Sequence, residues 1–263
     1  MRVISFCADG IERAADLGFY QWLEQQDADV VCLQGIEAQE YLLPNEPYFP
    51  VAFNPYFFDN PEATNGVAIY CRDLPKAIIT GLGFNDFDHE ARYIQADFEG
   101  ISFGSLLAPY SLTDDKLSIE RKQTFFSLLY EHLAKIKHKR REFIISGCFY
   151  IAHQPRDVQL AEQSRDQQGF TEQERSWLDK ILIDLGYVDA FRSAISDDDE
   201  FTWWPNGQRG ENGWRVDFQI ASEGLRKTVE YASILTAKTF SNHAPLIIDY
   251  DYEINVEDNL PIY

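Results

Sequence analysis

Several residues able to take part in catalysis or metal binding lie at the ends of apolar, strand-like segments. His243 belongs to the pentapeptide SNHAP at residues 241–245, which leads directly into the apolar stretch LIIDY. Asp9 and Asp217 adjoin similar apolar runs, and carboxylates are hard ligands of the kind that Mg²⁺ prefers. The same residues could instead be hydrogen-bonding groups that support the fold, and this is the interpretation that we favour.

Other side chains extend the range of possible chemistry. The Cys148 thiol could act as a nucleophile beside His243, although a cysteine at a strand end is usually a buried structural residue. Arg215 precedes Asp217 by two residues, so both lie on the same face of a predicted strand and an ion pair between them is expected. Such a pair is a sufficient structural explanation for both residues.

The elements that must position these groups follow from the hydrophobic pattern. Short β-branched or aromatic runs alternate with helical periods and polar turns, which indicates a layered α/β architecture. Helices are predicted at residues 11–25, from the start signal at 111–115 to about 139, and at 171–185. Strands are predicted at residues 2–6, 30–34, 66–72, 77–81, 93–98, 101–107 and 142–146.

Composition indicates one folded domain with a strongly acidic surface. The 263 residues are 45% hydrophobic and 14% aromatic, and 43 acidic against 23 basic residues give a net charge of −20. This charge argues against tight binding of DNA or RNA by the chain alone. We expect a single domain over residues 1–252, a loosely held tail over 253–263, no membrane span and a cytoplasmic location.

One short segment departs from the acidic background. Cations at a helix carboxyl end are favoured electrostatically, so a purely structural role is the simpler explanation. A contact site for RNA or a protein partner is the alternative. The basic side chains concerned lie at the carboxyl end of the long predicted helix and are Lys135, Lys137, Lys139, Arg140 and Arg141.

The local sequence resembles the exonuclease III type of the endonuclease/exonuclease/phosphatase superfamily over about 240 residues. The resemblance is carried in order by SFCADG at 5–10, DVVCLQG at 29–35, ISGCFY at 145–150, FTWW at 201–204, WRVD at 214–217 and SNHAP. It implies an α/β fold of the α+β-type four-layer sandwich, with two packed mixed β-sheets flanked by helices. It also implies that a histidine on the scissile phosphate is oriented by the preceding aspartate, a position held here by Asn242.

The same resemblance implies that several catalytic positions have changed. Gly35 stands where the family has a metal-binding glutamate, Cys148 where it has the catalytic aspartate, and Tyr150 where it has an asparagine. Leu107 replaces a phosphate-contacting tyrosine, and Asp9 replaces the asparagine of the opening strand. We therefore expect no catalytic residues and no cofactor. Asp9 and Asp217 are residual candidates for a metal site, and Glu37 is a remote substitute for the missing glutamate.

A closer resemblance is to the bacterial catabolite repression control (Crc) family. It rests on GLGF at 81–84, RYIQADF at 92–98, KRRE at 139–142, YIAHQ at 150–154, WWP at 203–205, GWRVDFQ at 213–219 and FSNHAPLI at 240–247. It implies a non-catalytic regulator, a pseudoenzyme that stabilises a translational repression complex with the RNA chaperone Hfq on A-rich mRNA. A basic partner of this kind would supply the cations that an acidic chain lacks.

Two alternatives remain open beside the regulator. The chain could be an active metal-dependent exodeoxyribonuclease III-like DNA nuclease or AP endonuclease that uses Asp9, Asp217 and His243. It could also bind a nucleotide or a small phosphorylated metabolite without cleaving it, with Arg92, Asn242 and His243 as hydrogen-bond donors. Aromatic pairs are more often core than exposed, so Trp203 and Trp204 are expected to face the interior.

Overall fold

The computed structural model describes residues 1–111 and 115–254. Twelve strands and seven α-helices are present in these ranges. The strands are β1 Arg2–Cys7, β2 Val30–Gln34, β3 Asn54–Phe58, β4 Val67–Cys71, β5 Ala77–Thr80, β6 Tyr93–Asp97, β7 Ile101–Leu107, β8 Glu142–Cys148, β9 Val188–Asp189, β10 Asp217–Ala221, β11 Val229–Ile234 and β12 Leu246–Tyr250. The helices are α1 Ile11–Asp16, α2 Phe19–Leu23, α3 Asn45–Tyr48, α4 Lys116–Ile136, α5 Ala161–Ser164, α6 Glu172–Asp179 and α7 Ala190–Ala194.

The strands form two six-stranded mixed sheets, which confirms the predicted fold class. The first sheet has the order β11-β12-β1-β2-β4-β3, and the second has the order β5-β6-β7-β8-β10-β9. Each sheet contains one parallel pair near its centre, β1 with β2 and β7 with β8. Parallel neighbours end at the same edge of a sheet, so each sheet contributes two adjacent carboxyl ends to one edge of the molecule.

Three apolar layers hold the sheets and helices together. Alternate residues of the central strands, among them Val3, Cys32, Phe103 and Ile144, pack between the two sheets. The opposite faces are covered by α1 and α2 on the first sheet and by α4 and α6 on the second. The central strands are buried on both faces, which explains why they are almost continuously apolar.

The structure divides or moves three of the predicted helices. The predicted helix at 11–25 is two helices, because Gly18 has a φ of 88° between them. The helix predicted at 171–185 is α-helical only over Glu172–Asp179 and continues as a π-helical turn over Lys180–Asp184. The long helix begins at Lys116, where the Asp115 side chain accepts a hydrogen bond from the Leu117 amide at 3.1 Å. Asp114 lies outside the described residues.

Two other predictions concern the ends and surfaces of the chain. No described helix has both the length and the apolar character required to cross a membrane. The predicted tail falls mostly on residues 255–263, which lie outside the described residues. The cytoplasmic location stays a prediction.

Candidate active site

The candidate active site lies where strand ends from both sheets converge. Cys7 ends β1 and Gly35 directly follows β2, both in the first sheet. Cys148 ends β8 of the second sheet and is paired in register with Asp217, the first residue of β10. His243 comes three residues before β12, the antiparallel neighbour of β1. The fold therefore brings together five positions spread over more than 230 residues of sequence.

His243 has a carboxylate partner in Asp217. Its Nδ1 atom lies 2.8 Å from Asp217 Oδ2, and the two side chains are 1% and 2% exposed. The prediction that His243 has lost its orienting carboxylate is wrong, because Asp217 reaches it from the neighbouring sheet while Asn242 does not take that role. The other oxygen, Asp217 Oδ1, is buried without a hydrogen-bond partner among the described residues.

The loop before His243 is fixed by Ser241. The Ser241 hydroxyl donates to the Cys7 carbonyl at 2.7 Å and accepts from the His243 amide at 2.9 Å. The SNHAP segment is thus tied to the end of β1. This contact holds the backbone of His243 at the end of β1. This role for Ser241 was not predicted from the sequence.

Two buried thiols complete the centre of the site. The ligand atoms of Cys7, Cys148 and His243 all lie within 4.8 Å of one another. Hydrogen bonding with Cys148 lowers the pKa of Cys7 to about 7, and the charge of His243 acts in the same direction. Burial raises the pKa of Cys148 well above its usual value. Burial lowers the pKa of His243, but Asp217 and Cys7 overcome this and raise it well above its usual range.

Neighbouring atoms lie close to Gly35, in the space that a side chain would occupy. Its φ is 62°, in the left-handed region that favours glycine. A Cβ atom placed there would lie 3.2 Å from the Asp9 amide nitrogen and 3.4 Å from Cys7 Sγ. Gly35 therefore offers no ligand atom, and the backbone around it is adapted to glycine.

Aromatic rings cover His243. The Trp203 ring stacks on the imidazole at a centroid distance of 5.9 Å and an angle of 27°, and the Tyr150 ring meets it edge-on at 6.1 Å. Tyr110, half exposed, packs against both Tyr150 and Trp203. Trp204 is buried, as predicted. A phosphate group can reach His243 only if part of this cover moves.

Two further candidate metal ligands, Asp9 and Glu37, are less buried than Asp217. Asp9 is half-buried in the loop after β1, and Glu37 is exposed in the loop after β2. Burial raises the pKa of Glu37, and the charge of Asp9 adds to this shift, so the two carboxylates are close. They lie at the mouth of the site, outside the buried thiol and imidazole cluster.

The predicted phosphate donors do not all line the cleft that contains Arg92. Arg92 forms an ion pair with Glu90 and lines a cleft with residues around 60–65 and Arg121, while His243 is buried. Asn242 and His243 are not among the residues lining that cleft. Leu107, at the end of β7, is buried and its carbonyl oxygen accepts a hydrogen bond from Arg92 at 3.3 Å.

Arg215 does not pair with Asp217, so the predicted local ion pair is wrong. Arg215 Nε and Nη2 bind Asp157 at 2.9 and 3.2 Å, and Nη2 also binds Asp189 at 2.7 Å. Asp157 also accepts from Arg192 at 2.6 Å. Asp217 is consequently free of a cation other than His243 among the described residues.

The basic stretch lies at the other end of the second sheet. It precedes Glu142, the first residue of β8, whereas Cys148 in the candidate site is the last. Seven strand residues separate these ends by about 20 Å. Arg141 pairs with Asp97, and Lys137 Nζ donates to the Leu185 carbonyl. Lys135, Lys139 and Arg140 are exposed, so the predicted partner contact would lie away from the candidate active site.

Cys7 is the centre residue that sequence reasoning left out. Cys7 is the last residue of a buried apolar strand, and a cysteine in such a position is usually part of the core. A signal was present, because Cys7 is the last residue of the opening strand and Gly35 comes directly after its parallel neighbour. Parallel strands place such residues at one edge.

The chain is similar in sequence and in fold to known nucleases. The model of the endonuclease/exonuclease/phosphatase family matches residues 10–243. An exodeoxyribonuclease of Bacillus subtilis is 28% identical over 94% of this chain and 98% of its own length. The DNA repair nuclease APEX1 of Danio rerio is 25% identical over 94% of this chain and 81% of its own length. The structure of an AP endonuclease from Archaeoglobus fulgidus superposes with a TM-score of 0.87 at 23% identity, covering 96% of this chain and all of that one.

These relatives contradict two predictions made from the sequence, that the chain is a non-catalytic translational regulator and that it is not an enzyme. The two sequence relatives named above are nucleases that match almost the whole chain. Both predictions rested on Gly35, Cys148 and Tyr150. They did not include the pair of His243 with Asp217, which only the packing of the two sheets brings together. The predictions of Hfq and A-rich mRNA as partners, and of no cofactor, are not tested by these relatives.

Proposed function

Because the chain belongs to the endonuclease/exonuclease/phosphatase family, we propose that it is a phosphodiester-cleaving enzyme acting on DNA, of the exodeoxyribonuclease or AP endonuclease type. The observation that supports this most directly is the buried contact between His243 and Asp217, at the edge where the strand ends of both sheets converge. The nuclease relatives supply the substrate class.

His243 is suited to act on the oxygen atoms of a phosphate. Its contact with Asp217 fixes the orientation of the ring and leaves Nε2 as the nitrogen available for a second contact. The raised pKa of His243 favours the protonated ring, which can donate a hydrogen bond or a proton to an oxygen that gains charge as the ester bond breaks. Such general acid catalysis typically contributes about 10²–10⁴ in rate.

A hard cation of the magnesium type does not fit the centre of this site. Gly35 has no ligand atom, and the central donors are the sulfur atoms of Cys7 and Cys148. Magnesium prefers oxygen ligands in octahedral geometry, and thiolates select softer ions. We therefore derive no catalytic step that passes through a magnesium ion.

The proposal is tested with a duplex that carries one abasic site and with a duplex that has a recessed 3′ end. Purified protein should cleave at least one of them in a panel of Mg²⁺, Mn²⁺ and Zn²⁺, and His243→Ala should lower the rate by about 10²–10⁴. His153→Ala is the matched control, because His153 also pairs with an aspartate, Asp179 at 2.7 Å, but lies outside the site. The proposal is overturned if neither substrate is cleaved with any of the three ions.

We also propose a finer placement within the family, close to the catabolite repression control proteins. It rests on segments such as RYIQADF at 92–98 and GWRVDFQ at 213–219. This is a statement of ancestry, tested by whether a phylogeny of the family groups the chain with those proteins or with the exodeoxyribonucleases.

The partners implied by that likeness form a separate proposal. Hfq and A-rich mRNA would have to bind an acidic chain, and the exposed cations Lys135, Lys139 and Arg140 offer a positive surface for this contact. Purified chain should be retained by immobilised Hfq when A-rich RNA is added. If resin without Hfq and without A-rich RNA retains the same amount of the chain, the partnership is refuted.

A further inference from the structure

The buried cluster of Cys7, Cys148 and His243 has the composition of a site for a thiophilic metal ion. Two sulfur atoms and one imidazole nitrogen lie within 4.8 Å of one another, and each residue is at most 1% exposed. Zinc binds Cys Sγ at about 2.3 Å and His nitrogen at about 2.0 Å in tetrahedral geometry. Ligand atoms around one such ion are about 3.5–3.8 Å apart on these values, so the cluster needs only a small contraction.

Asp217 supplies the second requirement of such a site. A metal-binding histidine usually donates its other ring N–H to a carboxylate, which fixes the tautomer and raises the basicity of the ligand nitrogen. His243 Nδ1 lies 2.8 Å from Asp217 Oδ2, so Nε2 is left to bind an ion. The remaining oxygen, Asp217 Oδ1, is buried and has no partner among the described residues, which is unusual for a group so expensive to desolvate.

The other two cysteines show that burial alone does not create this arrangement. Cys32 and Cys71 are as buried as Cys7 and Cys148 and belong to the same interior layer. Neither belongs to a group of potential metal ligands in the described part of the chain. The pair that ends β1 and β8 is the one that meets a histidine backed by a carboxylate.

We propose that Cys7, Cys148 and His243 bind a zinc-class divalent cation in place of the hard cation expected for the family. The ion would join β1 of the first sheet to β8 of the second, and three protein ligands leave a fourth position open. This departs from the prediction that the chain needs no cofactor. His243 Nε2 cannot hold the ion and a proton together, so zinc binding and general acid catalysis by His243 would belong to different states of the chain. The inference does not depend on the proposed function, since binding is measured separately.

Binding is tested on the reduced, metal-free chain. Because the ligands are buried, metal should be present during refolding. Atomic emission analysis after dialysis should find one zinc per chain, and Co²⁺ should give the intense visible bands of a tetrahedral centre with thiolate-to-metal charge transfer in the near ultraviolet. Chelation should lower the Tm. No retained zinc, or a weak octahedral cobalt spectrum without charge transfer, overturns the proposal.

Substitutions locate the ion. Cys148→Ser and Cys7→Ser should lower zinc affinity by at least tenfold, and Asp217→Asn by about 10–100-fold, while the matched control Cys71→Ser keeps wild-type affinity. If a variant does not fold, alkylation followed by mass spectrometry serves instead: zinc should protect Cys7 and Cys148 more than Cys32 and Cys71. Equal loss in Cys71→Ser, or equal protection of all four thiols, overturns the assignment.

The two proposals fail in distinguishable ways. Zinc binding without cleavage of either DNA substrate would leave the metal site standing and remove the proposed function. Cleavage without zinc binding would leave the proposed function standing and remove the metal site.

Discussion

At the scale of single residues, the site depends on which side chain hydrogen-bonds to the His243 imidazole. Asn242 is its sequence neighbour, yet the carboxylate that contacts the imidazole belongs to Asp217, 26 residues earlier. An aspartate in this role holds one tautomer and stabilises the protonated ring. The identity of residue 242 is therefore less important for catalysis than the motif suggests.

We expect Asp217→Asn to lower kcat/KM for the cleaved DNA substrate by about 10²–10⁴, because the asparagine cannot compensate the charge on the ring. The fall in kcat/KM for Asn242→Ala should be at least tenfold smaller than that for Asp217→Asn. The measurement is steady-state cleavage, with circular dichroism to show that both variants are folded. A larger loss in Asn242→Ala would return the orienting role to the SNHAP segment.

Gly35 offers a second test at the same scale. Gly35→Ala should destabilise the protein by about 1–3 kcal/mol, because alanine at a φ of 62° is strained and its Cβ meets the Asp9 amide at 3.2 Å. Gly186→Ala is the matched control, since Gly186 has a φ of 75° and nothing within 4 Å of its Cβ position. Denaturant unfolding measures both. Equal losses would show that strain alone, and not the close approach, limits position 35.

At the scale of elements, α4 and α6 are joined by a buried ion pair beneath the site. Lys122 Nζ lies 2.7 Å from Glu174 Oε1, and the two side chains are 2% and 3% exposed. Lys122 also donates to the Tyr150 carbonyl at 2.8 Å, while Glu174 Oε2 accepts from the Gly169 amide at 2.7 Å. The pair thus connects both helices to the loop that carries the aromatic cover.

Glu174→Gln should lower the free energy of unfolding by about 3–5 kcal/mol, because it leaves the buried ammonium of Lys122 without a compensating charge. The exposed pair of Lys116 and Glu120 on the same helix provides the control. Glu120→Gln should cost no more than about 1 kcal/mol. Urea titration of the three proteins is the measurement, and similar midpoints for both variants would contradict the expectation.

At the scale of the whole molecule, a buried charge network joins segments that are distant in sequence. Asp157, in the turn before α5, is fully buried between Arg192 of α7 and Arg215 before β10. Burial raises the pKa of Asp157, but the two guanidinium groups overcome this effect and hold it far below its usual range. The carboxylate form is therefore more favoured in the folded state than in the unfolded chain.

This depressed pKa predicts a contribution to stability that is complete above the unfolded value of about 3.9 and is lost as the pH falls toward the folded value. Unfolding free energies measured from pH 7 to pH 2 should fall at the acid end. Asp157→Asn should be less stable at pH 7 by about 3–5 kcal/mol and should show a smaller acid loss. Parallel pH profiles for the two proteins would contradict this.

Much of the fold and part of the site follow from the sequence alone. The periods of apolar residues located most central strands, and the order of short segments indicated two sheets flanked by helices. Strands β3 and β11 were missed because they are only partly buried, so their apolar pattern is weak. Strand β9 was missed because it has only two residues. The division at Gly18 was missed because the apolar face of the helical segment continues across it.

The amino-acid types at the strand ends, including the ligand-free Gly35 and the thiol Cys148, were determined by the sequence itself. Only the tertiary structure decided their partners. The contact of His243 with Asp217, the meeting of Cys7 with Cys148, and the pairing of Arg215 with Asp157 all join residues from different strands or loops. Spacing along a chain orders neighbours within one element, whereas contacts between elements depend on how two sheets pack. That packing brings a buried cluster of two thiols and an imidazole to the edge where the family pattern has carboxylates.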